Sequence, residues 1–82
     1  NMSYNTIQLL GEWFMNIDYA KTILKLRVKK NLSQQQLGEL LGVSFSTVNR
    51  WEKGRHEPTL LVKERLKNLF KENDIDIEKL GE

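Results

Sequence analysis

Residues 33–58 read SQQQLGELLGVSFSTVNRWEKGRHEP. The stretch opens with Ser33 and Gln36, which match the capping box: the serine hydroxyl accepts from the backbone three residues on, and the glutamine side chain reaches back. The helix that this pattern predicts stops at Gly42, because glycine readily takes the left-handed conformation that ends many helices.

A second short helix is predicted directly after this glycine. Ser44 offers its N-cap, Gly54 ends it, and Val48 and Trp51 lie three residues apart on one of its faces. Large apolar residues on one face of a short helix are typical of a core contact. We therefore predict two short helices that meet at a tight corner, with Val48 and Trp51 pointing inward.

The rest of the chain also predicts helices. Only one Pro and five Gly occur, and apolar residues recur at spacings of three and four. Three further helices are expected, over residues 6–16, 19–30 and 59–72, so the fold class is all-α with five helices. Asp18 is the predicted N-cap of the 19–30 helix. The inward face of that helix would hold Ile23, Leu24 and Leu26.

These helices suggest three parts of the chain. Residues 1–18 form an N-terminal extension with one helix, residues 19–72 the main domain, and residues 73–82 an acidic tail, either a short turn of helix or disordered. The extension carries Trp13 and Phe14, more aromatic surface than an exposed helix needs. We expect it to dock on the domain or to form a dimer interface.

Composition excludes several classes of function. The chain has 82 residues, no cysteine and one histidine, His56, so neither a disulfide framework nor a thiolate zinc site is possible. Its acidic residues show no catalytic pairing and it has no phosphate-binding glycine loop, so we expect no enzyme, metal or cofactor. No apolar run reaches the roughly 18 residues of a membrane span, and no signal peptide is evident, so a cytoplasmic location is expected.

The charge is unevenly distributed along the chain. Although the formal net charge is only +2, residues 19–56 carry eight Lys and Arg against two acidic residues. The segments before and after, 1–18 and 57–82, are both net acidic. A basic middle suits a polyanion such as nucleic acid, although an ordinary solvated surface fits as well.

A dense set of residues within 19–70 forms one pattern: Leu26-Arg27, Leu32-Ser33-Gln34, Leu37, Leu41-Gly42-Val43-Ser44, Thr47-Val48, Arg50-Trp51-Glu52, Gly54 and Pro58. This pattern resembles the Cro/phage-repressor type of helix-turn-helix, often called the XRE family. The resemblance implies a lambda-repressor-like domain with an extra N-terminal helix, whose second motif helix enters the major groove of double-stranded DNA. It also implies a homodimer and transcriptional regulation in a bacterium or phage.

The predicted base contacts lie on the second motif helix. Each helical residue advances by about 100°, so with Val48 and Trp51 inside, the opposite side holds Ser46, Asn49, Arg50 and Lys53. Asparagine suits an adenine edge and arginine a guanine edge. By resemblance, the base-reading positions are Ser44, Phe45, Ser46 and Asn49, while Arg50 contacts either a base or a phosphate.

Phe45 departs from the family pattern, in which this position is commonly polar. It packs on thymine methyl groups, faces a protein partner, or folds back on the domain. The second alternative keeps a different function open: a protein-interaction or targeting module of the same fold within a larger assembly.

Other residues are expected to contact phosphates or to shape the motif. The resemblance assigns Gln34 to a phosphate, at a helix start that already favours anions. Further phosphate contacts are expected from Thr47, Lys53 and Arg55. Arg27 and Glu52 match the family's buried ion pair, the alternative being two solvated charges. Gly38 holds a position that is usually small in the family, and Gly38→Ala would stabilise the helix if there is room.

Overall fold

The computed structural model of the protein describes residues 17–81. They form four helices, α1 (Tyr19–Lys30), α2 (Gln34–Leu41), α3 (Phe45–Glu52) and α4 (Leu60–Glu72). The all-helical prediction is confirmed, with four helices in the described part where five were predicted for the chain. The predicted helix over residues 6–16, with its aromatic residues, lies outside the described residues. None of the four described helices is long and apolar enough to cross a membrane.

The helices begin and end close to the predicted residues, because local side chains cap them. Asp18 Oδ1 accepts from the backbone N of Lys21 at 3.1 Å, and Asn31 ends α1 in the left-handed region at φ 55°. Both halves of the capping box form: Gln36 N donates to Ser33 Oγ at 3.0 Å, and Ser33 N donates to Gln36 Oε1 at 2.9 Å. Each such N-cap contributes about 1 kcal/mol to stability.

The corner between α2 and α3 folds back tightly on α2. Gly42 adopts φ 73°, and the backbone N of Val43 donates to the carbonyl O of Gly38 at 2.8 Å. A Cβ built on Gly38 would lie 2.5 Å from the carbonyl O of Val43. The room that a stabilising Gly38→Ala requires is therefore absent, because the backbone of the turn occupies it.

The core lies where the four helices meet. Its side chains, each at most 7% exposed, are Ile17, Tyr19, Ile23, Leu26, Leu37, Leu41, Val48, Trp51, Val62, Leu66 and Phe70. Trp51 is buried, as its spacing from Val48 predicts. Leu24 is 46% exposed, so its assignment to the core was wrong. The inward side of α1 is already occupied by Ile23 and Leu26.

Residues 73–81 pack against α1, and neither predicted form of the tail, a helical turn or disorder, describes them. Ile17 and Lys79 form an antiparallel bridge. Lys25 Nζ lies 2.7 Å from Glu78 Oε2, and this hydrogen bond and ion pair lower the pKa of Glu78. Two side chains of the tail, Ile75 and Ile77, pack against the core.

Tyr19 lies buried at the start of α1, beside α4. Lys63 Nζ lies 5.2 Å from the centroid of its ring and 3.0 Å from Glu57 Oε2. The Tyr19 hydroxyl is buried and has no hydrogen-bond partner among the described residues. Burial, and secondly the charge of Glu57, raise the pKa of Tyr19 to about 12.

Candidate nucleic-acid interface

α3 is held at its start and along its inner side. Thr47 N donates to Ser44 Oγ at 3.2 Å, and the Ser44 and Thr47 hydroxyl oxygens lie 2.9 Å apart. Val48 and Trp51 are both buried. Because α3 has only eight residues, the cap and these two anchors determine which of its sides faces away from the core.

The outward side of α3 begins with an exposed aromatic ring. Phe45 is 59% exposed, so the alternative that it folds back on the domain is excluded. The other predicted contact residues of this region differ in exposure. Exposed are Ser44, Ser46, Arg50, Lys53 and Arg55, and partly buried are Thr47 and Asn49.

Asn49 and Arg50 leave α3 in different directions. Asn49 Nδ2 donates to Gln34 Oε1 on α2 at 3.4 Å. Arg50 instead borders an open cavity of about 220 Å³ beside His56 and Val62. The candidate surface therefore extends from α2, across α3, to the loop that precedes α4.

The turn after α3 places two further basic residues at this surface. Gly54 adopts φ 71°, in the left-handed region. The backbone N of Arg55 donates to the carbonyl O of Arg50 at 3.0 Å, which closes the turn. Lys53 and Arg55 on either side of Gly54 are exposed to solvent, and with Arg50 they give this end of the surface three positive charges.

Arg27 and Glu52 form an ion pair between α1 and the last residue of α3. Arg27 Nε donates to Glu52 Oε2 at 2.6 Å, and Nη2 donates to Oε1 at 2.8 Å. Their side chains are 19% and 11% exposed, so the pair is largely but not fully buried. Its hydrogen bonds outweigh desolvation and raise the pKa of Arg27. Arg27 Nη1 also donates to the carbonyl O of Leu32 at 3.0 Å, which ties the pair to the loop between α1 and α2.

Gln34 connects this ion pair to the outward side of α3. Its Nε2 donates to Glu52 Oε1 at 3.1 Å, while its Oε1 accepts from Asn49. Four side chains thus form a hydrogen-bonded chain from Arg27 through Glu52 and Gln34 to Asn49. The family resemblance predicted the Arg27–Glu52 pair. The two contacts of Gln34 were missed, because they join residues 15 and 18 positions apart and no local pattern signals them.

The described residues offer little for a metal or cofactor. Among residues 17–81 no group of three or more His, Asp or Glu could hold a metal ion. Besides the cavity next to Arg50, an open groove of about 440 Å³ lies between Leu24 and Val28 of α1 and Ile75 of the tail. Both are open to solvent, and each is lined by three apolar side chains together with polar and charged ones.

The chain is similar to known proteins over most of its length. A family model described as Helix-turn-helix matches residues 23–80. The HTH-type transcriptional activator BcrR of Enterococcus faecalis is 34% identical over 64 residues, which cover 78% of this chain and 30% of that protein. An HTH-type transcriptional regulatory protein of Pyrococcus furiosus is 39% identical over 62 residues, which cover 76% of this chain and 19% of that protein.

The chain spans less than a third of the length of these curated relatives. No solved structure matches it.

Proposed function

The chain belongs to the helix-turn-helix family, and on this premise we propose that it reads specific sequences of double-stranded DNA with α3 in the major groove. Family membership makes it a DNA-binding domain of the transcriptional-regulator type, and not an enzyme. The observation that carries the proposal is the orientation of α3. Val48 and Trp51 anchor one side in the core, so the capped helix presents its other side to a groove that is wide enough for a helix.

Five residues would read base edges: Ser44, Phe45, Ser46, Asn49 and Arg50. Asn49 suits adenine, since a carboxamide can accept from the N6 amino group while donating to N7, and Arg50 suits the O6 and N7 atoms of guanine. Phe45, exposed at the start of α3, packs on a thymine methyl group. Ser44 also caps the helix, so its hydroxyl can contact a base only from the position that the capping hydrogen bond fixes.

Four residues would contact phosphates: Gln34, Thr47, Lys53 and Arg55. Gln34 lies in the first turn of α2, where backbone N–H groups and the helix dipole favour an anion. Its Nε2 group carries two N–H bonds, of which one points to Glu52, so the other can donate to a phosphate oxygen. Lys53 and Arg55 contribute positive charge and fix the register of the protein on the duplex.

The DNA-bound form is a homodimer on an inverted repeat. One helix reads only a few base pairs, and a two-fold symmetric pair of domains doubles the length of the site. The relatives are by name a transcriptional activator and a transcriptional regulatory protein. We infer from these names that the role of the chain is also in the control of transcription.

Selection of bound duplexes from a randomised pool tests sequence-specific binding. We expect one enriched site, with half-sites related by two-fold symmetry, and a chain that enriches no sequence would contradict the proposal. Asn49→Ala and Arg50→Ala should each relax the preference at one base pair per half-site, by about 1–3 kcal/mol. Lys29→Ala, which removes an exposed charge from α1, serves as the matched control and should leave the preferences unchanged.

The salt dependence of binding tests the phosphate contacts. The two cationic side chains that would contact phosphates, Lys53 and Arg55, predict a log–log slope of about −2 per chain and about −4 per dimer. Lys53→Ala should reduce the slope by about 1 per chain and weaken binding to all sequences alike. An affinity independent of salt would be incompatible with this surface.

Two exposed apolar features favour a second candidate, a protein-interaction module. One is Phe45, and the other is the groove bordered by Leu24 and Val28. Asn49→Ala combined with Arg50→Ala separates the candidates, since it removes specific DNA binding and leaves a protein partner bound. A chain that binds no duplex but is still held by a partner through Phe45 would favour the second candidate.

A further inference from the structure

We propose that Gln34 is a positioning residue, which sets the direction of the Asn49 carboxamide and thereby the base that Asn49 prefers. The inference rests on the proposed function, because it concerns how the same surface distinguishes one base pair from another. Its physical basis is the order of hydrogen-bond donors and acceptors along the series of side chains Arg27, Glu52, Gln34 and Asn49.

The first step is that Glu52 can only accept. Both of its carboxylate oxygens accept from Arg27, at 2.6 and 2.8 Å. The Glu52 side chain is 11% exposed, and its carboxylate is paired with the planar guanidinium through two bonds, a geometry that prevents rotation. Glu52 therefore presents a fixed acceptor, Oε1, toward α2.

The second step is that this acceptor determines the direction of the Gln34 amide. A glutamine amide has a donor side and an acceptor side, and only the donor side can face a carboxylate. Gln34 Nε2 lies 3.1 Å from Glu52 Oε1. The amide oxygen of Gln34 is consequently directed toward α3, where it meets Asn49.

The third step is that the Gln34 amide oxygen determines the orientation of Asn49, the base-reading side chain. Because Gln34 presents an oxygen at 3.4 Å, Asn49 must turn its NH₂ group toward it. One N–H then points to Gln34, and Oδ1 with the remaining N–H faces outward. This pair matches adenine, whose N6 amino group donates and whose N7 accepts.

Without Gln34, the two faces of the Asn49 carboxamide become nearly equivalent. The terminal torsion of asparagine is broad and roughly two-fold, so the group can turn and present its donor where the acceptor was. A side chain that takes both orientations offers each base a matching pattern and loses its preference. Gln34 thus contributes to specificity by a route that differs from a phosphate contact, which affects all sequences alike.

The experiment uses the duplexes that the wild-type chain selects from a randomised pool. Asn49→Ala first identifies the base pair that Asn49 reads, as the one whose preference is lost. The measured quantity is the ratio of affinities for the selected duplex and for the duplex with that base pair changed, where a bidentate contact gives roughly 5- to 150-fold. Gln34→Met keeps the length and helix propensity of the side chain but removes both the donor and the acceptor of its amide. Gln35→Met, at the exposed neighbour in the same helical turn, is the matched control.

We expect Gln34→Met to lower this ratio by about fivefold or more at that one base pair, and Gln35→Met to leave it within about twofold. In the Asn49→Ala background, Gln34→Met should cause no further change in the ratio, because the two residues act as a unit. If Gln34→Met also removes a phosphate contact, the double variant should bind all duplexes more weakly to the same extent.

Two results would overturn the inference while the proposed function stands. One is a Gln34→Met chain that binds every duplex more weakly with an unchanged ratio, which would make Gln34 a phosphate contact only. The other is an Asn49→Ala chain that keeps all base preferences. If the wild-type chain selects no sequence at all, the proposed function itself fails. Thermal melts verify that each variant is folded, and Gln34→Ala replaces Gln34→Met if the latter is not.

Discussion

Replacing Gly38 with alanine adds a single methyl group at the place where the turn after α2 folds back on the helix. The added Cβ would lie 2.5 Å from the carbonyl O of Val43, 3.3 Å from the carbonyl C of Ser44 and 3.4 Å from its O. All three are backbone atoms, and Val43 N is itself hydrogen-bonded to Gly38 O at 2.8 Å. No side-chain rotation can relieve the contact, so the turn must move.

Two opposing effects set the magnitude. Alanine in a helix interior is favoured over glycine by about 1 kcal/mol. Overpacking that forces backbone shifts typically costs about 1–3 kcal/mol, and because the contacted atoms are backbone atoms of Val43 and Ser44 the cost should lie in the upper part of that range. The expected net loss is about 1–2 kcal/mol, which for a domain of this size lowers Tm by roughly 5–15 °C.

Thermal and urea unfolding followed by circular dichroism measure this loss. Glu39→Ala, at the exposed neighbouring position of α2, is the control for helix propensity and should stay within about 0.5 kcal/mol of wild type. The shifted turn also carries Ser44, the N-cap of α3, so DNA affinity should fall with stability. A Gly38→Ala chain that melts at or above the wild-type temperature would show that the turn can move without a loss of free energy of unfolding, contrary to the packing described above.

Three further variants test other contacts of the fold. Arg27→Leu leaves Glu52, whose side chain is 11% exposed, without its cation and should lower the free energy of unfolding, measured in urea, by about 2–4 kcal/mol; a loss below about 1 kcal/mol would mean that the pair is effectively solvated. Tyr19→Phe should leave stability at neutral pH nearly unchanged, because the hydroxyl has no hydrogen-bond partner among residues 17–81. Above pH 10 the unfolded tyrosine ionises while the folded one, with a pKa of about 12, does not. Between pH 10 and 12 the free energy of unfolding of the wild type should therefore fall by about 1 kcal/mol per pH unit relative to that of Tyr19→Phe. If the two free energies changed with pH in parallel, this would contradict the raised pKa. Glu78→Gln should be less stable than wild type at neutral pH, and the difference should vanish as the pH falls through the lowered pKa of Glu78; a difference that persists in strong acid would exclude the ion pair as its cause.

Local signals were sufficient to predict the helices. The caps at Asp18, Ser33 and Ser44 and the helix end at Gly42 depend on residues within a few positions of each other, and all four form as predicted. The inward direction of α3 also followed from the sequence, because Val48 and Trp51 are the large apolar residues of that short helix.

Contacts between distant residues were beyond the sequence pattern. Leu24 was assigned to the core on its apolar character alone, although Ile23 and Leu26 fill the inward side of α1. The order of residues 73–81 depends on α1, more than 50 positions earlier in the chain, as in the 53-residue separation of Lys25 and Glu78. For the candidate interface, the sequence predicted which residues of α3 face outward but not that Gln34 turns toward Glu52.

The antiparallel bridge between Ile17 and Lys79 brings the two ends of the described domain side by side. The backbone N of Asp18 also donates to the carbonyl O of Glu78 at 2.7 Å, so the first and last residues of the described domain lie next to each other. A short peptide linking residues 17 and 79 would close the chain into a ring at little entropic cost, and the ring could be reopened at an exposed loop as a circular permutant. For the same reason, the domain could be inserted as a unit into a surface loop of a host protein without separating the two ends of that loop.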